Sequence, residues 1–335
     1  MPSLSKPLMW RKLYLGFHQI LYTLILMSSK LKILLAALLG LNLIFILFLV
    51  VGRSSNQAEQ SKEKYPLLAK RIFMDDPNDT IVNFVPLRQA VKIYLSKANV
   101  EHSFFFEYLP TGTAIRSNEN SQLAGASLLK LPTIISLYKA AEEGRINLGQ
   151  VVSIKKEWLD DRFGDLWKRG EGAKITLAKA VRYALVDSDD TAIKTIRGVL
   201  GSMIPDNQTV LSQLDVDFPY TIDGQSKVSS RDYAAVMKCL YLSCYLNREN
   251  SQEILSQLAD APDFNRIAKP IPDNLKVAHK IGVFGSEVQS DCGIIYIPNR
   301  PYLVCILIKG PSVVVDQHMQ ALSKLVYDYV SDTNH

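Results

Sequence analysis

The stretch "AGASLLKLPTIISLY", Ala124–Tyr138, decides how the chain is read. From Leu128 onward it has the composition of a buried helix. Yet Ser127 stands at its first turn and Lys130 follows one turn later. An ammonium beside an apolar helix face is costly unless something there requires it. Three residues apart on a helix, the lysine and the serine hydroxyl share one face. If that lysine is desolvated or has cationic neighbours, its neutral form becomes accessible and can take the serine proton. The helix N-terminus adds free N–H groups and positive potential where an oxyanion would form. Ser-x-x-Lys also arises by chance, and Ser127 could simply cap the helix. The motif needs company.

Two further stretches supply it. "LVDSDDTAIKTI" sets Ser188, Asp189 and Asp190 at the start of a second helical run, and "VAHKIGVFG" sets Lys280 on a strand just ahead of Gly282 and Val283. Ser-x-x-Lys, then Ser-Asp-Asx, then Lys-x-Gly on a late strand is the order found in penicillin-recognising serine enzymes. From about Val85 to its end the chain resembles the class A β-lactamases and the related D-Ala-D-Ala peptidases. "VSSRDYAAVMKCLY" is similar to that family's helix after the omega loop, and "DCGIIYIPNRPYLVCILIKG" to its closing hairpin.

The resemblance implies an α+β, β-lactamase/transpeptidase-like fold: a five-stranded antiparallel sheet flanked by helices, with an all-helical subdomain. It implies Ser127 as the acylated nucleophile and Lys130 as its base or proton relay. Ser188 would pass a proton to the leaving nitrogen, and Lys280 would set the local field and hold a substrate carboxylate. The N–H groups of Ser127 and Val283 would form the oxyanion hole, with Asp190 and Gly282 lining the substrate site. No metal or cofactor is called for.

Three departures stand out. Asp190 occupies a position where the family has Asn; an ionised carboxylate accepts from Lys130 but cannot donate to a substrate carbonyl. Its charge favours the protonated lysine. Ile281 replaces the family's Thr or Ser, removing one hydroxyl contact to a penicillin-type carboxylate. The loop from Leu200 to Ser230 contains no Glu, only Asp206, Asp215, Asp217 and Asp223, so the pattern that positions a deacylating water in class A β-lactamases is missing.

Patterning elsewhere agrees with such a domain. "FVPLRQAVKIYLSKA" has helical spacing, "EHSFFFEYL" and "TAIRS" flank a tight turn as strands, and Phe104–Phe106 fit a sheet buried on both faces. Strand-rich runs at both ends with helices between predict one α+β domain over residues 72–335 whose first and last strands share a sheet. His102 and His279 show no metal or triad spacing and read as surface or strand residues.

Ahead of that domain, "ILLAALLGLNLIFILFLVV", Ile33–Val51, is long enough at ~1.5 Å per residue to cross the ~30 Å core of a bilayer. It is longer than a signal-peptide core and lacks a small-residue cleavage site, so it reads as a retained transmembrane helix over 33–51. Lys30 and Lys32 precede it, placing residues 1–32 in the cytoplasm and the serine domain outside. "LYLGFHQILYTLILM", Leu13–Met27, reads as an interfacial helix, with a short first span as the alternative. Residues 52–71 read as a polar linker.

The net charge of +5 resides in this N-terminal part: residues 1–53 hold six Lys and Arg and no acid, leaving 32 basic against 33 acidic side chains. That balance excludes a nucleic-acid surface. The four cysteines, Cys239, Cys244, Cys292 and Cys305, lack zinc spacing. A two-residue turn at Asn299–Arg300 would leave Cys292 and Cys305 out of register, so free buried thiols are expected. Three functions fit: a membrane-anchored, monomeric acyl-enzyme former acting on a β-lactam or peptidoglycan peptide; a β-lactamase using a loop aspartate; and a non-catalytic cell-envelope domain.

Overall fold

In a computed structural model, residues 28–31, 33, 38, 40–42, 65–69, 83–201, 211–214, 216 and 226–332 are described. The chain divides into two units, Met1–Lys64 and Tyr65–His335. Among the described residues no helix is long and apolar enough to cross a membrane. The Leu13–Met27 run and most of the Ile33–Val51 span lie outside the described residues.

The second unit is organised by strand alternation. Strands β1 (His102–Tyr108), β2 (Thr113–Ser117), β7 (Val277–Phe284), β8 (Val288–Ile295) and β9 (Tyr302–Lys309) form one antiparallel sheet in the order β2-β1-β9-β8-β7. First and last strands therefore pair, as expected. Along β1 every side chain is buried, because successive residues enter different cores. Phe104, Phe106 and Tyr108 join Leu87 and Leu95 of helix α1 (Val85–Ala98) and Met319 and Leu322 of the closing helix α7 (Ser312–Ser331). Phe105 packs on the opposite face with the remaining helices. Helix α7 buries Val315, Met319, Leu322, Val326 and Val330, spacings that keep one stripe against the sheet.

On the other face lies α2 (Lys130–Glu142), with 10 of its 13 residues buried. It is a central helix, which explains its nearly continuous apolar sequence. Pro132 is tolerated because first-turn N–H groups have no intrahelical acceptor. Around α2 are α3 (Leu177–Val186), α4 (Asp190–Leu200), α5 (Ser230–Leu242) and α6 (Arg248–Ala259). Two small ribbons, β3 (Leu123–Ala124) with β6 (Lys227–Val228) and β4 (Val151–Ser153) with β5 (Lys174–Thr176), tie loops together. Tyr65–Ala69, inside the segment read as linker, folds onto this unit. Leu67 and Leu68 are buried, and Ala69 N–H donates to Tyr241 O at 2.7 Å.

The cysteine expectation is corrected. Strands β8 and β9 are joined by Tyr296–Pro301 rather than a two-residue turn, which brings Cys292 opposite Cys305 in register. These two form a disulfide, Cys239 and Cys244 form another, and no cysteine is free.

Candidate active site

Ser127 lies in a 3-10 turn, Ala126–Leu129, that leads straight into α2. Ala126 just before it has φ 45°, a left-handed conformation costly for a residue with a Cβ and characteristic of functional turns. The turn is anchored by Gly125, whose N–H donates to Ser226 O at 3.0 Å. Among the described residues none hydrogen-bonds the half-buried Ser127 hydroxyl, leaving it available.

Lys130 begins α2 and is 4% exposed. Its ammonium donates to the Ser188 carbonyl, to Ser188 Oγ at 3.3 Å and to Asp190 Oδ1 at 2.8 Å. Burial pushes its pKa down, while the Asp190 carboxylate, by charge and hydrogen bond, pulls it back up. Lys280, on β7 and fully buried, donates to Ser188 Oγ at 2.8 Å. Its pKa is held well below that of a free lysine by burial first and by the nearby Lys130 charge second. Ser188 Oγ thus accepts from both lysines. A hydroxyl has two acceptor sites and one donor, so its proton is directed elsewhere.

Ser188 is held in place by its neighbours. It has φ 53° between α3 and α4. Asp189, fully buried, caps α4 by accepting from Ala192 N–H at 2.7 Å, while its other oxygen accepts from Leu166 N–H at 2.8 Å. Burial raises its pKa, and those N–H bonds oppose the rise. Asp190 N–H donates to Phe163 O at 3.0 Å. The loop carrying Phe163 is fastened in turn through Asp160. That carboxylate takes Arg162 Nη2 at 2.7 Å and Lys194 at 2.8 Å, and its acidity is strengthened chiefly by the Arg162 hydrogen bonds. Arg162 Nε also stands 3.8 Å from Asp190 Oδ2.

Strand β7 closes the other side. A Cβ on Gly282 would lie 2.3 Å from Ser290 Oγ and 2.9 Å from Gly125 O; only glycine lets the strand approach the Ser127 turn this closely. Val283 follows it on this edge strand. Ile281 is 3% exposed, and the pleat turns it away from the Lys280 face.

The structure therefore joins Lys130, Ser188, Asp190 and Lys280 by direct contacts and sets Gly282, with Val283 next along β7, against the turn that carries Ser127; among the described residues no hydrogen bond ties the Ser127 hydroxyl to Lys130. Asp206, Asp215, Asp217 and Asp223 lie outside the described residues. Among the described residues no group of three His, Cys, Asp or Glu is placed to hold a metal. His279 is a strand residue as read, but it has a partner: Nδ1 is 2.9 Å from Asp291 Oδ1 on β8. Sequence reasoning missed the capping role of Asp189, which its position before an apolar helical run signals. It also missed Arg266, a lone loop arginine that carries no pattern.

A sequence profile described as the beta-lactamase enzyme family matches residues 86–330. No curated protein matches the chain. Among solved structures, a mutant of PBP-A in an acyl-enzyme complex with penicillin G aligns with TM-score 0.67 at 20% identity, over 73% of this chain and 96% of that one. A β-lactamase from Sphaerobacter thermophilus aligns with TM-score 0.67 at 18% identity, over 75% and 98%. The TLA-3 extended-spectrum β-lactamase aligns with TM-score 0.68 at 16% identity, over 75% and 100%. At these identities the structures speak for the fold.

Proposed function

The chain belongs to the beta-lactamase enzyme family and is a serine hydrolase, and we propose from this that it forms an acyl-enzyme on Ser127 with a β-lactam or a D-Ala-D-Ala-type peptide or ester. The observation that carries the proposal is the chain of contacts Asp190–Lys130–Ser188–Lys280 beside an unencumbered Ser127 hydroxyl. Neutral Lys130 takes the Ser127 proton as Oγ attacks the carbonyl carbon. The N–H groups of Ser127 and Val283 hold the oxyanion. The Ser188 hydroxyl delivers a proton to the leaving nitrogen and is resupplied from the lysines bonded to it. Lys280 supplies the field that draws a substrate carboxylate.

The absence of Glu from the Leu200–Ser230 loop favours slow deacylation, hence a peptidase or transpeptidase over an efficient β-lactamase. The enzyme works as a monomer on small or peptidoglycan-derived substrates, anchored by Ile33–Val51 with its N-terminus in the cytoplasm and its serine domain outside. Cleavage of the domain by protease added to intact cells tests that topology.

The deciding experiment is intact mass of the detergent-purified full chain before and after brief exposure to benzylpenicillin. The expected result is a gain equal to the whole drug, since ring opening loses no atoms, and no gain in Ser127→Ala. Persistence of the adduct supports the peptidase-type reading; rapid decay with drug turnover points to a loop aspartate activating water. Absence of any adduct with penicillin or with an activated D-Ala-D-Ala ester sinks the proposal.

A second expectation concerns pH. Asp190 raises the Lys130 pKa, and the base must be neutral to act. Asp190→Asn should therefore move the ascending limb of the kcat/KM–pH profile to lower pH by about 1–3 units, the effect of one adjacent opposite charge. A limb that stays in place would show that Lys130 is not the titrating base.

A further inference from the structure

Arg266 lies in the connection between α6 and β7 and is 3% exposed. Its Nε donates to Asp316 Oδ1 at 2.9 Å and its Nη2 to Gln289 Oε1 at 2.7 Å. Nη1 donates to the carbonyls of Ser290 at 2.8 Å and Gly282 at 3.1 Å. A buried cation is thus directed at the backbone of β7 just beside the substrate site.

The Gly282 carbonyl and the Val283 N–H are the two ends of one peptide group. No described peptide is cis, so the two point in opposite directions across the strand. The carbonyl faces β8, where Ser290 Oγ also donates to it at 3.3 Å. The N–H consequently faces the free edge of β7, on the side where the Gly125 carbonyl approaches Gly282. A hydrogen bond to a peptide oxygen polarises the whole group and makes its N–H a stronger donor. A charged donor in a buried setting does this more strongly than a neutral one.

We propose that Arg266 is a positioning residue for the oxyanion hole: through the Gly282 carbonyl it fixes the plane of the Gly282–Val283 peptide and strengthens Val283 N–H as a donor to the oxyanion. The proposal deepens the reading of Ser127 as the acylated residue and rests on it. A plain staple holding the loop to the sheet would show the same contacts. The difference between the two is spectroscopic.

Gly-Val occurs only at Gly198–Val199 and Gly282–Val283. Full-length protein labelled with carbonyl-¹³C glycine and ¹⁵N valine therefore reports two selected amides, with Val199 as the internal control. Arg266→Gln should shift the Val283 ¹⁵N resonance upfield and leave Val199 in place. Asp316→Asn, which keeps the guanidinium and removes its counter-charge, should shift Val283 downfield and is available if Arg266→Gln does not fold. These shifts need no substrate, so they test the polarisation even if penicillin proves not to acylate Ser127. In the acyl-enzyme made with carbonyl-¹³C benzylpenicillin, Arg266→Gln should raise the ester C=O stretching frequency. The acylation rate constant should fall about 10-fold, less than the 10²–10³ that accompanies outright loss of an oxyanion donor. A folded Arg266→Gln with Val283 unmoved, or with a lower Tm and an unchanged carbonyl stretch, would overturn the proposal in favour of the staple.

Discussion

Replacing Lys130 with methionine is expected to slow acylation of Ser127 by about 10²–10⁴-fold, the range spanned by a positioned general base. Methionine keeps the length and apolar stem of the side chain but has no nitrogen. Two roles disappear together. Ser127 loses its proposed proton acceptor, and Ser188 Oγ loses one of its two lysine donors, keeping only Lys280 at 2.8 Å. The fold should survive, because the apolar surroundings of α2 accept methionine and the Asp190 carboxylate, already 3.8 Å from Arg162, can turn to it. Stopped-flow acylation with a chromogenic cephalosporin, read beside a thermal melt, checks this. A variant that acylates at near wild-type rate would move the base role to another group. Lys280 would be the first candidate, since it is buried beside the same Ser188 Oγ, to which it donates at 2.8 Å.

Gly164→Ala is expected to destabilise the domain by about 3 kcal/mol or more and to reduce activity with it. Gly164 has φ +82°, a conformation that penalises any Cβ. The added carbon would also fall 2.2 Å from Asp189 Oδ2 and 2.6 Å from Asp189 Cα. A side-chain tip could rotate away, but a backbone atom cannot, so the loop or the start of α4 must shift. Either movement loosens the bonds from Leu166 and Ala192 to Asp189 and releases Ser188 from between its two lysines. Chemical denaturation measures the stability loss. The discriminating readout is kcat/KM at a temperature where the variant is still folded: a fall there shows that the loop positions Ser188, whereas unchanged activity confines the effect to stability.

Both effects turn on residues that differ in how visible they are in the chain. Lys130 can be found without a structure, because a lysine one turn after a serine in an apolar helix is costly and the other two motifs follow in order. Gly164 cannot. Nothing in "LDDRFGDL" marks this glycine as the point where a loop presses on a residue 25 positions further along. The same holds for Arg266, whose acceptors belong to three different elements, and for the His279–Asp291 contact across β7 and β8.

Strand and helix identities and the burial of β1 on both faces could be argued from residue patterning, and the sharing of one sheet by the first and last strands from the order of elements. Period-2 and period-3.6 patterns record which faces meet a core. Ser127 with Lys130, and Ser188 with Lys280, were legible because the chemistry proposed for them constrains residue type at short, ordered spacings. What the amino-acid order by itself determined is therefore the set of elements, the family resemblance and the charge-bearing groups of the site. The tertiary structure alone decided the register that joins Cys292 to Cys305, the close approach of Gly164 to Asp189 and of Gly282 to the Ser127 turn, and the aim of Arg266 at one peptide oxygen. The reason is physical: a local pattern reports whether a residue is buried, whereas which groups meet within 3 Å depends on loop lengths and packing between segments far apart in the chain.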